Sequence, residues 1–73
     1  MVFFYERDAV EMQVEARLDP ATRVYTITKR LPDGTTEYAQ VVGEEPCRRH
    51  LEGIAAGLET AGWRRSGPPK LLL

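Results

Sequence analysis

Cysteine is almost missing from this chain: Cys47 stands alone among 73 residues. One thiol excludes an internal disulfide framework, so nothing staples the fold covalently, and a reducing cytoplasm is the expected compartment. Histidine is as scarce, with His50 alone. A structural zinc site needs four ligands, and only a symmetric dimer contributing two Cys47/His50 pairs would supply them; no metal and no other cofactor are expected. No apolar run approaches the ~20 residues of a membrane-spanning helix. Met1–Tyr5 is apolar but short, has no basic lead and meets Glu6-Arg7-Asp8 at once, which does not fit a secretory signal. The chain also has no glycine-rich phosphate loop, no Ser/His/Asp set and no facing carboxylate pair, so it is not expected to be an enzyme.

The composition is that of an ordinary globular domain, with 42% hydrophobic and 29% charged residues. A chain of this length has room for one thin core and buries only ~60% of its surface on folding. The net charge of −1 hides an asymmetry. Residues 1–45 carry five Lys/Arg against nine Asp/Glu, whereas residues 46–73 carry five against two. A basic C-terminal third points to an acidic partner or to charge pairing within a dimer.

The clearest pattern runs from Val10 to Val42. Val10, Met12, Val14, Ala16 and Leu18 alternate with Glu11, Gln13, Glu15 and Arg17, which is the period of a half-buried strand. Asp19-Pro20-Ala21-Thr22 reads as a turn, Arg23–Leu31 as a second strand, Leu31-Pro32-Asp33-Gly34 as another turn and Thr35–Val42 as a third strand. Pairing Leu18 with Arg23 sets Val14 opposite Ile27 and Glu11 opposite Arg30. Pairing Leu31 with Thr35 sets Ile27 opposite Ala39 and Tyr25 opposite Val41. Both hairpins then gather the same apolar set on one face, as opposed residues must.

Gly43-Glu44-Glu45-Pro46 ends the last strand and opens a helix, with Pro46 expected at its first position. Leu51, Ile54, Leu58 and Ala61 form a stripe to lie on the sheet. Gly62 is placed to end the helix left-handed, with Trp63 folding back toward Leu58. The expected architecture is α+β, a three-stranded antiparallel meander with one C-terminal helix on one face. Met1–Tyr5 is a candidate fourth strand. The domain spans residues 1–65, and residues 66–73, with Ser66-Gly67-Pro68-Pro69, are expected to form a mobile tail.

Three groups of residues bear on function. Phe3, Phe4 and Tyr5 offer either a sticky edge or part of the domain's own core. Gly53 and Gly57 smooth one helix flank at a cost of ~1 kcal/mol each relative to alanine, which implies close packing on the sheet or on a partner helix. Arg48, Arg49, Trp63, Arg64 and Arg65 offer cations and one aromatic to a nucleic acid, against which stand a sequence pI of 5.8 and an acidic open sheet face. Cys47 at the start of the helix beside two arginines is either a reactive thiolate or a small core hydrophobe. The expectation is a non-enzymatic module that binds a protein partner or itself, as a homodimer, through Met1–Tyr5, a sheet edge or the Gly53/Gly57 flank, with nucleic-acid binding as the alternative.

Overall fold

The computed structural model describes residues 1–68 and shows an α+β domain of one antiparallel sheet and one helix. Four strands follow one another as a meander: β1 (Val2–Arg7), β2 (Val10–Asp19), β3 (Val24–Arg30) and β4 (Thr36–Val42). Helix α1 (Glu44–Thr60) follows, and a short strand β5 (Arg64–Arg65) returns beside β1. The sheet order is β4-β3-β2-β1-β5, so the N-terminal strand lies inside the sheet and is not a sticky edge.

Period-two alternation decides which residues each strand buries. Tyr5, Met12, Val14 and Ile27 share one face and are buried, and the helix meets them with Cys47 and Leu58. Ile27 and Val14 are the most completely enclosed side chains. Leu51 and Ile54 pack at the margin of this core. Ala61 does not join the stripe, because it lies beyond the last helical turn and is exposed; Cys47 takes that place.

The two expected hairpins fare differently. Around Leu31-Pro32-Asp33-Gly34 the register is as expected, with Ile27 opposite Ala39 and Tyr25 opposite Val41. Gly34 takes φ 90°, and Asp33 Oδ1 accepts the Thr35 N–H at 2.9 Å and the Thr35 hydroxyl. The first hairpin is shifted by two residues: Leu18 pairs with Tyr25 and Val14 with Lys29, not Ile27. Glu11 faces Glu6 of β1, and Arg30 faces Gln13. The cause is local. Asp19 Oδ1 accepts the Ala21 N–H at 3.0 Å, and the Asp19 carbonyl accepts the Arg23 N–H at 2.8 Å. Arg23 then closes the loop at φ 61° and does not enter the strand. A shift of two keeps every side chain on its face, so the core survives it.

The hairpin between β1 and β2 turns on two residues, Asp8 and Ala9, both left-handed at φ 52° and 65°. That is the turn whose twist matches the strands, although glycine usually fills its second position. At the helix, Gly43 is the N-cap, so Pro46 occupies the third helical position and not the first. A proline costs no bond there because the first-turn N–H groups have no intrahelical acceptor. The C-terminus closes as expected: Trp63 N–H donates to the Leu58 carbonyl at 2.9 Å and Gly62 N–H to the Glu59 carbonyl at 3.0 Å, with Gly62 at φ 91°.

This turn aims the chain at β1, where Tyr5 pairs with Arg65 and Glu6 with Arg64. Ser66, placed in the tail on sequence, follows β5 directly and donates its N–H to the Phe4 carbonyl at 2.8 Å. The rest of the expected tail lies largely outside the described residues.

Two substitutions test this backbone reading with opposite signs. Ala9→Gly relieves a left-handed alanine and raises stability by about 1 kcal/mol, whereas Gly62→Ala imposes one and lowers it by at least as much. In thermal melts the two move Tm in opposite directions by roughly 4–8 °C per kcal/mol. A fall for Ala9→Gly or no change for Gly62→Ala would contradict the assigned turns.

Candidate interaction surfaces

A helix about 10 Å across cannot cover a five-stranded sheet whose outer strands stand about 19 Å apart. On its way across the sheet α1 starts just past the end of β4, passes with Leu51 near Phe3, Tyr5 and Val14, and ends where Arg7 of β1 donates to the Ala61 carbonyl. The same face of β1 and β2 is left partly open, and an open groove of about 1120 Å³ runs beside the helix. Its floor is Met1, Phe3, Ala16, Leu18 and Tyr25, with Leu51 as the helix wall. Arg17, Glu44, Glu45, Arg48, Glu52 and Arg65 line its rim with both signs of charge.

The second surface is the β4 edge. At the two ends of β4 the Thr35 carbonyl accepts from Leu31 N–H at 2.9 Å, and Gly43 N–H donates to the Arg23 carbonyl at 3.1 Å. Both contacts lie on the β3–β4 register, and hydrogen-bonded pairs alternate along an antiparallel ladder. Glu37, Ala39 and Val41 therefore turn their backbone groups inward to β3. Thr36, Tyr38, Gln40 and Val42 turn theirs outward and place their side chains on the face away from the helix. Tyr38 and Val42 are among the most exposed large hydrophobic residues, at 72% and 66%. Glu37 is the only charge on the strand and is held by Lys29 at 3.1 Å.

The residues singled out on sequence are spread over the molecule. Tyr5 is only 3% exposed and is core; Phe3 packs against that core from the groove floor, and Phe4 is half-buried on the opposite face. Gly53 and Gly57 are exposed, and a Cβ added at either would meet nothing within 4 Å. They do not bring the helix close to its own sheet. At about 100° per residue they lie opposite the groove-lining Arg48, Leu51, Glu52 and Ala55.

The arginines are largely occupied within the chain. Arg48 is bound by Glu45 and Glu52, and Arg49 lies 3.5 Å from Glu45. This pairing holds the Glu45 carboxyl below its usual range, with the Arg48 hydrogen bond as the main cause. Arg65 lies over the Phe3 and Tyr5 rings at 4.8 and 5.8 Å. Trp63 is 7% exposed beneath Arg7, whose guanidinium is 4.7 Å from the ring centre, so its face is not presented for base stacking. Arg64 is exposed opposite Glu6 on the other face of the sheet.

Cys47 is buried in the core cluster, and burial pushes its thiol above the usual range, with Glu44 adding to the effect. Among the described residues, no group of three or more His, Cys, Asp or Glu is placed to hold a metal ion, and no helix is long and apolar enough to cross a membrane. Sequence reasoning pointed to a sheet edge without saying which, although strict pairing from the Pro-Asp-Gly turn contained the outward ladder of β4. It missed the groove, which depends on how far one helix reaches.

Comparison with protein-family models, curated proteins and solved structures finds no match.

The Cys47 thiol gives a direct check on the helix–sheet contact. A raised pKa lowers the thiolate fraction at neutral pH, and burial blocks access. Alkylation of the native protein at neutral pH is expected to be at least roughly tenfold slower than that of a free peptide thiol, and unfolding in urea should remove the difference. A native rate equal to the free thiol's would show that the helix does not cover Cys47.

Proposed function

We propose that this chain is a non-enzymatic interaction module that associates with itself. The observation that carries the reading is the β4 edge, seven residues long, paired with β3 without a bulge and ending the sheet on that side. Such an edge is a template for another strand unless proline, lysine, a bulge or a covering element blunts it. β4 has neither proline nor lysine. The opposite edge is different: β5 has two residues, both arginine. The thin core supports the same reading, because domains of this size gain stability from association.

The nucleic-acid alternative draws less support. Its proposed aromatic is buried, Arg48 and Arg49 are paired with glutamates, and Arg64 and Arg65 point to opposite faces. The open sheet face sets Glu6, Glu11 and Glu15 against Arg17, Arg30 and Arg64, so it is not a basic surface.

Sedimentation from low micromolar to near-millimolar protein tests self-association. The average mass is expected to rise from 8.3 kDa toward the dimer value as concentration increases. A mass fixed at the monomer value throughout would overturn the reading.

A further inference from the structure

We infer that the partner of the β4 edge is a second copy of β4, antiparallel about a two-fold axis at Ala39, forming one continuous sheet with both helices on the same side. This rests on the self-association proposed above and specifies its geometry.

The hydrogen-bond phase of β4 restricts the choice. The residues with outward backbone groups are Thr36, Tyr38, Gln40 and Val42, so a symmetric antiparallel pair must bring these residues opposite one another. Centring the axis at Ala39 sets Thr36 opposite Val42 and Tyr38 opposite Gln40, each twice, and uses every outward group of the strand. Centring it at Tyr38 or Gln40 leaves one end unpaired. The Ala39 register also opposes Glu37 with Val41, so the strand's single charge meets no like charge. On the open face, Tyr38 and its symmetry mate become diagonal neighbours, about 7–8 Å apart at the backbone and within reach of an aromatic side chain. Val42 lies over Thr36 of the second copy. The two most exposed apolar side chains of the strand are thereby covered.

The helix side leaves room for this arrangement. α1 starts just past the end of β4 and then crosses toward β1, where Arg7 Nη1 donates to the Ala61 carbonyl, so most of the helix leads away from the paired edge. Its Gly53/Gly57 flank has open space where a Cβ would be and adds no bulk. The result is a sheet of ten strands, five from each copy, whose outer edges are both the short β5.

The test uses cysteine cross-linking in full-length chains carrying Cys47→Ala. In the inferred register Ala39 faces itself in a non-hydrogen-bonded pair with Cα atoms about 4.5 Å apart, inside the range of a disulfide. Ala39→Cys is expected to oxidise to a covalent dimer, and Asp33→Cys, in the β3–β4 turn, is not. In parallel, Gln40→Pro removes an outward N–H without touching the β3 ladder. It is expected to stay folded by circular dichroism and to weaken dimerisation roughly thirtyfold, since the symmetric pair loses two hydrogen bonds. Should Gln40→Pro fail to fold, Tyr38→Lys provides the second probe and is expected to weaken association while preserving the monomer. A dimer that persists in these variants and does not cross-link through Ala39→Cys would place the interface elsewhere and overturn the inference while leaving self-association intact. A wild-type chain that stays monomeric would overturn both.

Discussion

The width of one helix against the width of one sheet governs this molecule. α1 spans 17 residues and crosses the sheet from the end of β4 to Arg7 of β1, yet it is too narrow to cover the sheet on both sides of its path. The domain therefore has a dense centre at Ile27, Val14, Met12, Cys47 and Leu58, and margins where apolar residues meet solvent. Met1 and Leu18 sit on the open side of the helix, and Tyr38 and Val42 lie on the face it never touches. With no disulfide and, among the described residues, no second helix, such margins are covered by aromatic–cation contacts within the chain or by association outside it.

The chain uses the first of these on the β1 side. Arg7 lies over Trp63 and Arg65 over Phe3 and Tyr5, so long cationic side chains cover aromatic surface while their charged ends remain in water. Arg7 also donates from Nη1 to the Ala61 carbonyl at 2.8 Å, satisfying a group at the helix C-terminus. The arginines that read on sequence as a site for phosphate thus act mainly as lids and caps. Planarity and charge suit arginine to either task, and only the position of the aromatic partner separates them.

Much of the fold was legible because it depends on short-range rules. Strict alternation from Val10 to Leu18 identified a strand and its buried face, Pro-Asp-Gly fixed the β3–β4 register, and Gly62 marked the helix end. The register of the first hairpin was not legible, since it turns on whether Arg23 enters the strand or closes the loop, and Arg23 has no residue-type signature for a left-handed conformation. β5 was hidden for a different reason. Arg-Arg has no strand pattern, and it pairs with β1 only because the helix-ending turn delivers it there. Of the candidate surfaces, the glycine flank was readable as a cost without a visible return. The groove and the β4 edge needed the three-dimensional arrangement.

The position of β1 between β2 and β5 bears on the order in which the molecule assembles. The pairs Arg7–Val10 and Ile27–Ala39 close over short loops, so the meander forms from local contacts as soon as its residues are available. Tyr5–Arg65 spans nearly the entire chain and waits for the helix to be finished and turned. During synthesis the outer side of β1 is therefore exposed longest, although it is enclosed in the finished domain. Until β5 arrives the sheet presents two long open edges, β1 and β4; afterwards, among the described residues, β4 is the long one.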